Sequence, residues 1–173
     1  MNFTKALQNF VRKREGELGT ARLDVPPTVE AGDLRNKLLA LLRDRRAGRV
    51  DIPTPCGRLS IADFVKIQLQ LIEIGLQTPA SERAKSEFFE KIRANYQRAK
   101  DQLTLFDAIA GRLVVFLNNL SWEVTDPAVY SLLKEVKKAR AYGCTFHELS
   151  QLEQKVFEQF KKNHQTFVKL LEV

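Results

Sequence analysis

Residues 89–120, FEKIRANYQRAKDQLTLFDAIAGRLVVFLNNL, decide the fold. Phe89, Ile92, Tyr96, Ala99, Leu103, Phe106, Ala110, Leu113, Leu117 and Leu120 follow one another in alternating steps of three and four. An α-helix turns once in 3.6 residues, so this spacing lines all of them along one seam. A strand, with its period of two, would scatter them over both faces. The stretch therefore predicts one long helix, or two nearly collinear ones, packed lengthwise against other helices. The fold class that follows is all-α, a bundle of five or six helices around one long central helix.

The two halves of this helix differ in composition. From Ser81 to Lys100 the seam is narrow and the other faces are charged. From Leu103 onward Leu105, Ile109, Val114, Val115 and Phe116 join it. The second half is therefore expected to be buried and the first half partly exposed. Phe88, Phe89, Ile92 and Tyr96 in the first half need a cover. Either residues 3–17 of the same chain or a second copy in a homodimer would supply it.

Working outward, residues 60–77 carry Asp63, Lys66, Gln70, Glu73 and Gln77 at helical spacing. Val65, Ile67, Leu69 and Leu71 alternate like a strand, yet the helical template accounts for every polar residue except Gln68. Ser60 with Asp63 resembles a capping box, so a central helix is expected. Residues 50–59, VDIPTPCGRL, resist a helix because of Pro53 and Pro55, and suggest a short hairpin or a Pro-rich loop. A further helix is expected from Asp33, as its N-cap, to about Arg46, with Leu34, Leu38, Leu39, Leu41 and Leu42 inward. Asp126-Pro127 opens a helix that Gly143 stops, and Thr145 with Glu148 caps the last one. Residues 3–17 read as a short amphipathic helix ending in Arg12-Lys13-Arg14. With the proline-containing linker that follows, residues 1–32 form a peripheral addition to a single domain spanning 1–173.

The chain has 173 residues, of which 44% are apolar and 28% charged, enough apolar surface to build a core and too much for a disordered chain. The net charge is +7, which favours nucleic acid, anionic lipid or acidic protein as a partner. Nothing at the N-terminus resembles a signal peptide, and Asp107 and Arg112 interrupt the longest apolar stretch. A cytoplasmic protein without a transmembrane segment, carrying two reduced cysteines, is the expectation.

Two clusters could hold an anion. Arg43, Arg45, Arg46 and Arg49 form the densest positive patch, and guanidinium forks match phosphate oxygens. Lys134, Lys137, Lys138 and Arg140 form a second. Cations at a helix C-terminus are also favoured by the macrodipole alone, so each cluster has a purely structural explanation. Helix, glycine, helix at 127–171 invites comparison with a DNA-reading helix-turn-helix. Lys138 breaks its apolar pattern, and His147 and Glu148 stand where base readers would be, so an αα-hairpin is expected.

Cys144-x-x-His147 has metal-ligand spacing, but Cys56 and His164 are the only other good candidates and each is far away. No Gly-rich phosphate loop, no HExxH and no GxSxG occurs. The sequence thus points to no catalytic residue, no cofactor and no metal. It favours a non-enzymatic helical protein that binds nucleic acid or another anionic partner through basic helix ends. A protein–protein adaptor or chaperone-like protein is the second expectation, and a small enzyme with a site between helices is the third.

Overall fold

Residues 29–78 and 81–171 are described in the computed structural model, with side chains as far as residue 164. The fold is all-α. In order come α1 (Val29–Arg43), β1 (Asp51–Thr54), β2 (Gly57–Ser60), α2 (Ile61–Gln77), α3 (Glu82–Glu123), α4 (Pro127–Tyr142) and α5 (Phe146–Leu171). The helix expected at residues 3–17 lies outside the described residues.

The seam forms one unbroken helix, α3. Nine of its ten members are buried and Tyr96 is half-buried. Ser81 Oγ accepts from Ala84 N at 3.4 Å and so caps the start. The helix runs on to Glu123, one turn past Leu120, with Val124 N donating to Leu120 O. Its second half is less enclosed than expected. Leu105 is 49% exposed, Val115 59% and Trp122 89%. The apolar residues there extend beyond the stripe that the neighbouring helices cover. The same half gives α3 an 18-residue window of mean hydropathy 1.4, with 33% of it buried. By length and composition alone α3 is thus long and apolar enough to cross a membrane.

The chain divides into two compact units, and the boundary between Gln102 and Leu103 falls inside α3. In the first unit α1 packs on α2, and the hairpin lies against the start of α2. Asp51 pairs with Ser60 and Thr54 with Gly57, so Pro55-Cys56 is a two-residue turn. Gly57 takes φ +119°, a conformation other residues rarely adopt. Pro53 lacks an N–H, which an isolated two-stranded ribbon tolerates because both its strands are edges.

Each of these elements is tied to the first half of α3. Arg93 bridges to Glu30 of α1 at 2.5 Å, and the Lys37 ammonium stands 5.9 Å from the Tyr96 ring centroid. Asn95 Nδ2 donates to Gln68 of α2, and Arg98 donates to the Pro53 carbonyl of β1. A Cβ on Gly75 would meet Phe88 Cε1 at 2.6 Å, so the glycine lets that ring lie on α2.

The start of α1 differs from expectation. The helix begins at Val29 rather than at a cap on Asp33, and it ends at Arg43. Asp33 instead lies within it and pairs with Lys37 at 3.1 Å, one turn on. Glu30 occupies the first turn, where the macrodipole favours a carboxylate. Asp44 explains the early stop: its side chain bonds the backbone and guanidinium of Arg46, offering that stretch an alternative to the helix.

The second unit is built from the rest of α3 with α4 and α5. Phe106 meets Phe146 edge-on at 5.9 Å, and Phe116 meets Phe160 at 5.2 Å. Arg140 of α4 lies over Gly111 and pairs with Asp107 at 3.2 Å. Asp126 has two tasks. One carboxylate oxygen accepts from Ala128 N at 2.9 Å, capping α4, and the other accepts from Gln159 of α5 at 2.8 Å. Lys155 reaches Glu135 at 3.9 Å. Pairs 126–159 and 135–155 place α5 antiparallel along the length of α4. A helix-turn-helix would send its second helix away at a steep angle, so the segment is an αα-hairpin.

Candidate functional site

The candidate site is the turn between α1 and β1. Four backbone bonds fold it: Asp44 N to Leu41 O at 3.1 Å, Ala47 N to Asp44 O at 3.1 Å, Arg49 N to Arg46 O at 2.9 Å, and Val50 N to Arg46 O at 3.1 Å. Its far end is held by α2. Ile61 N donates to Val50 O at 2.8 Å and Ala62 N to Ala47 O at 2.7 Å. These are N–H groups that a helix start leaves without intrahelical partners, and the turn supplies their acceptors. Ser60 Oγ takes a third, from Asp63 N, at 3.2 Å. Ala47, Val50 and Ile52 are fully buried beneath. The turn is thus fixed from both sides while its long side chains stay outside.

Asp44 and Arg46 form the brace within the turn. The guanidinium Nε and one Nη lie 3.2 Å and 3.1 Å from the two carboxylate oxygens. Burial raises the Asp44 carboxyl pKa, but the Arg46 hydrogen bonds and charge outweigh it, so the group is held below its ordinary value. Arg46 is therefore occupied. Arg43, Arg45 and Arg49 are exposed, and no ion pair engages them among the described residues.

The second cluster is also divided. Arg140 is held by Asp107, 33 residues away in sequence. Lys134, Lys137 and Lys138 are exposed on one face of α4. Of the residues expected to meet a partner, Phe89 and Ile92 are buried within the chain. Phe88 rests on α2 at Gly75 and Tyr96 lies beneath Lys37 of α1, each half-buried; residues 3–17, the cover expected from the same chain, lie outside the described residues.

Cys144 is buried, whereas His147 is exposed and contacts Gln151 at 3.3 Å. His164 is exposed and stacks on Phe160. Among the described residues no group of three His, Cys, Asp or Glu side chains converges. A groove of about 410 Å3 between α4 and α5 is lined by Ala128, Ser131, Leu132, Lys155, Glu158, Gln159 and Lys162. Neither Cys144 nor His147 is among its lining residues, in which Glu158 is the one carboxylate.

No family model, curated protein or solved structure matches the chain. Function must therefore be read from these residues.

Proposed function

We propose that this chain is a non-enzymatic, cytoplasmic binding protein that associates with nucleic acid through the turn at residues 43–50. The observation that supports this best is the arrangement of Arg43, Arg45 and Arg49. Three exposed guanidinium groups stand within seven residues, on a backbone held by α1 at one end and α2 at the other. Pre-organisation of this kind lowers the entropic cost of gripping a phosphate backbone. The arginine fork matches phosphate oxygens in two bonds at once. Lys134, Lys137 and Lys138 offer a second, weaker set of point charges.

Fluorescence anisotropy with a labelled DNA of mixed sequence at 50 mM salt tests the proposal. Binding should weaken steeply as salt rises. Absence of binding at 50 mM would end it. The adaptor reading would then lead, with Leu105, Val115, Trp122 and Phe157, which stand exposed in the second unit, as the apolar side chains a protein partner could bury.

A further inference from the structure

Single-stranded and duplex nucleic acids ask different things of a protein. A single strand is held chiefly by aromatic rings on which its bases stack, with cations tracking the backbone. A duplex hides its bases and presents one negative charge per about 1.7 Å of axis, so bare cations suffice. The first unit is built for the second task. Its described aromatic residues are Phe64, Phe88, Phe89 and Tyr96. Phe64 and Phe89 are buried, Phe88 is pressed against Gly75, and Tyr96 lies under Lys37. Among these four none is fully exposed, and the two that are half-buried, Phe88 and Tyr96, each have a neighbour against the ring. The turn itself, RDRRAGRV, contains no aromatic residue.

Resting on the proposed nucleic-acid function, we infer that the arginine turn takes duplex in preference to single strand, by contact with phosphates. Each cation placed on B-DNA releases about 0.9 counterion, against about 0.7 on a single strand. For Arg43, Arg45 and Arg49 together the salt slopes differ by about 0.6. Starting from equal affinity at 1 M and carried down to 50 mM salt, that difference favours the duplex about sixfold.

All exposed aromatic residues of the described chain belong to the second unit, and Trp122, at 89% exposure, is the one tryptophan present. Its emission separates the two modes, because a base stacked on the indole quenches it. The test uses the full chain, a DNA duplex of about 20 base pairs and one of its strands alone, with anisotropy and Trp122 emission recorded from 50 to 200 mM salt. At 50 mM salt the duplex should bind about sixfold tighter, falling to about threefold at 200 mM, and should leave Trp122 emission unchanged. Arg43→Ala, Arg45→Ala and Arg49→Ala together should flatten the duplex salt slope by about 2.7. The corresponding triple Lys variant should keep the slope, which separates lost charge from lost structure.

A single strand that binds as tightly as the duplex, or quenches Trp122, overturns the preference while the nucleic-acid function stands. A slope unchanged by the triple Ala variant removes the turn as the site. Binding of neither probe overturns the proposed function itself.

Discussion

Asn95 Nδ2 donates to Gln68 Oε1 at 2.9 Å, joining α3 to α2 inside the first unit. Gln68 is 1% exposed, the polar residue that the helical pattern of residues 60–77 leaves unexplained. A buried amide without a partner carries its full desolvation penalty. Asn95→Ala should therefore cost about 1–3 kcal/mol, more than the bond itself is worth. Adding Gln68→Met should recover part of that loss by removing the orphaned group. Urea unfolding of the two single variants and the double variant gives the coupling. Additive losses would mean that the two amides do not depend on each other.

Leu117 and Val115 test the seam from neighbouring positions on one helix. Leu117 is fully buried and Val115 is 59% exposed. Leu117→Ala should cost about 2–5 kcal/mol, and Val115→Ala less than about 1. Comparable falls in Tm would show that the outer face of α3 is covered after all.

The Asp44–Arg46 brace has a pH signature. The Asp44 carboxyl is depressed in the folded chain. The unfolded chain therefore binds the proton more readily, and stability rises with pH across that interval. The contribution is complete above the ordinary carboxylate pKa of about 3.9 and is lost as pH falls through the lower, folded value. Asp44→Asn should lower Tm at pH 7, and the gap to the wild type should close below about pH 4. A gap independent of pH would assign the effect to lost shape rather than lost charge.

Thiol labelling distinguishes the two cysteines. Cys56 is half-buried in the hairpin turn, whereas Cys144 is buried between α4 and α5. A thiol reagent should modify one group per chain quickly in the folded protein and a second only in denaturant. Two fast groups would show that the α4–α5 turn opens readily. Neither thiol should bridge to the other.

Asn163 is a different kind of polar residue. Its Nδ2 is buried with no hydrogen-bond partner. Asn163→Leu should raise Tm, because it removes a desolvated donor that no described group satisfies. A fall in Tm would reveal an acceptor for that donor in the folded chain.

Much of the fold was legible because periodicity and caps are local signals. The seam, the helix at residues 60–77, and the caps Ser60, Asp126 and Thr145 all lie within a few residues of what they act on. The end of α1 falls short of the expected Arg46 because Asp44 turns the chain, and a single aspartate between arginines carries no periodic signal. The site was only half legible for a similar reason. Which arginines are free depends on which carboxylates reach them. Asp44 is two residues from Arg46, but Asp107 is 33 from Arg140, and no spacing rule announces that pair. The exposure of Leu105 and Val115 likewise depends on how wide a stripe the neighbouring helices cover.

The place where the first unit gives way to the second, inside α3 between Gln102 and Leu103, limits how this chain can change over time. A boundary in a loop absorbs added or lost residues without consequence. Here each stretch of α3 has partners in its own unit. Within either stretch one inserted residue would turn the later seam members of that unit by about 100°, carrying them off the face its other elements cover. Three or four residues would nearly restore the phase, and seven would restore it better. Gene variants that lengthen or shorten α3 inside a unit should therefore survive in steps of a helical turn, whereas the connection at residues 124–126 is free of that rule.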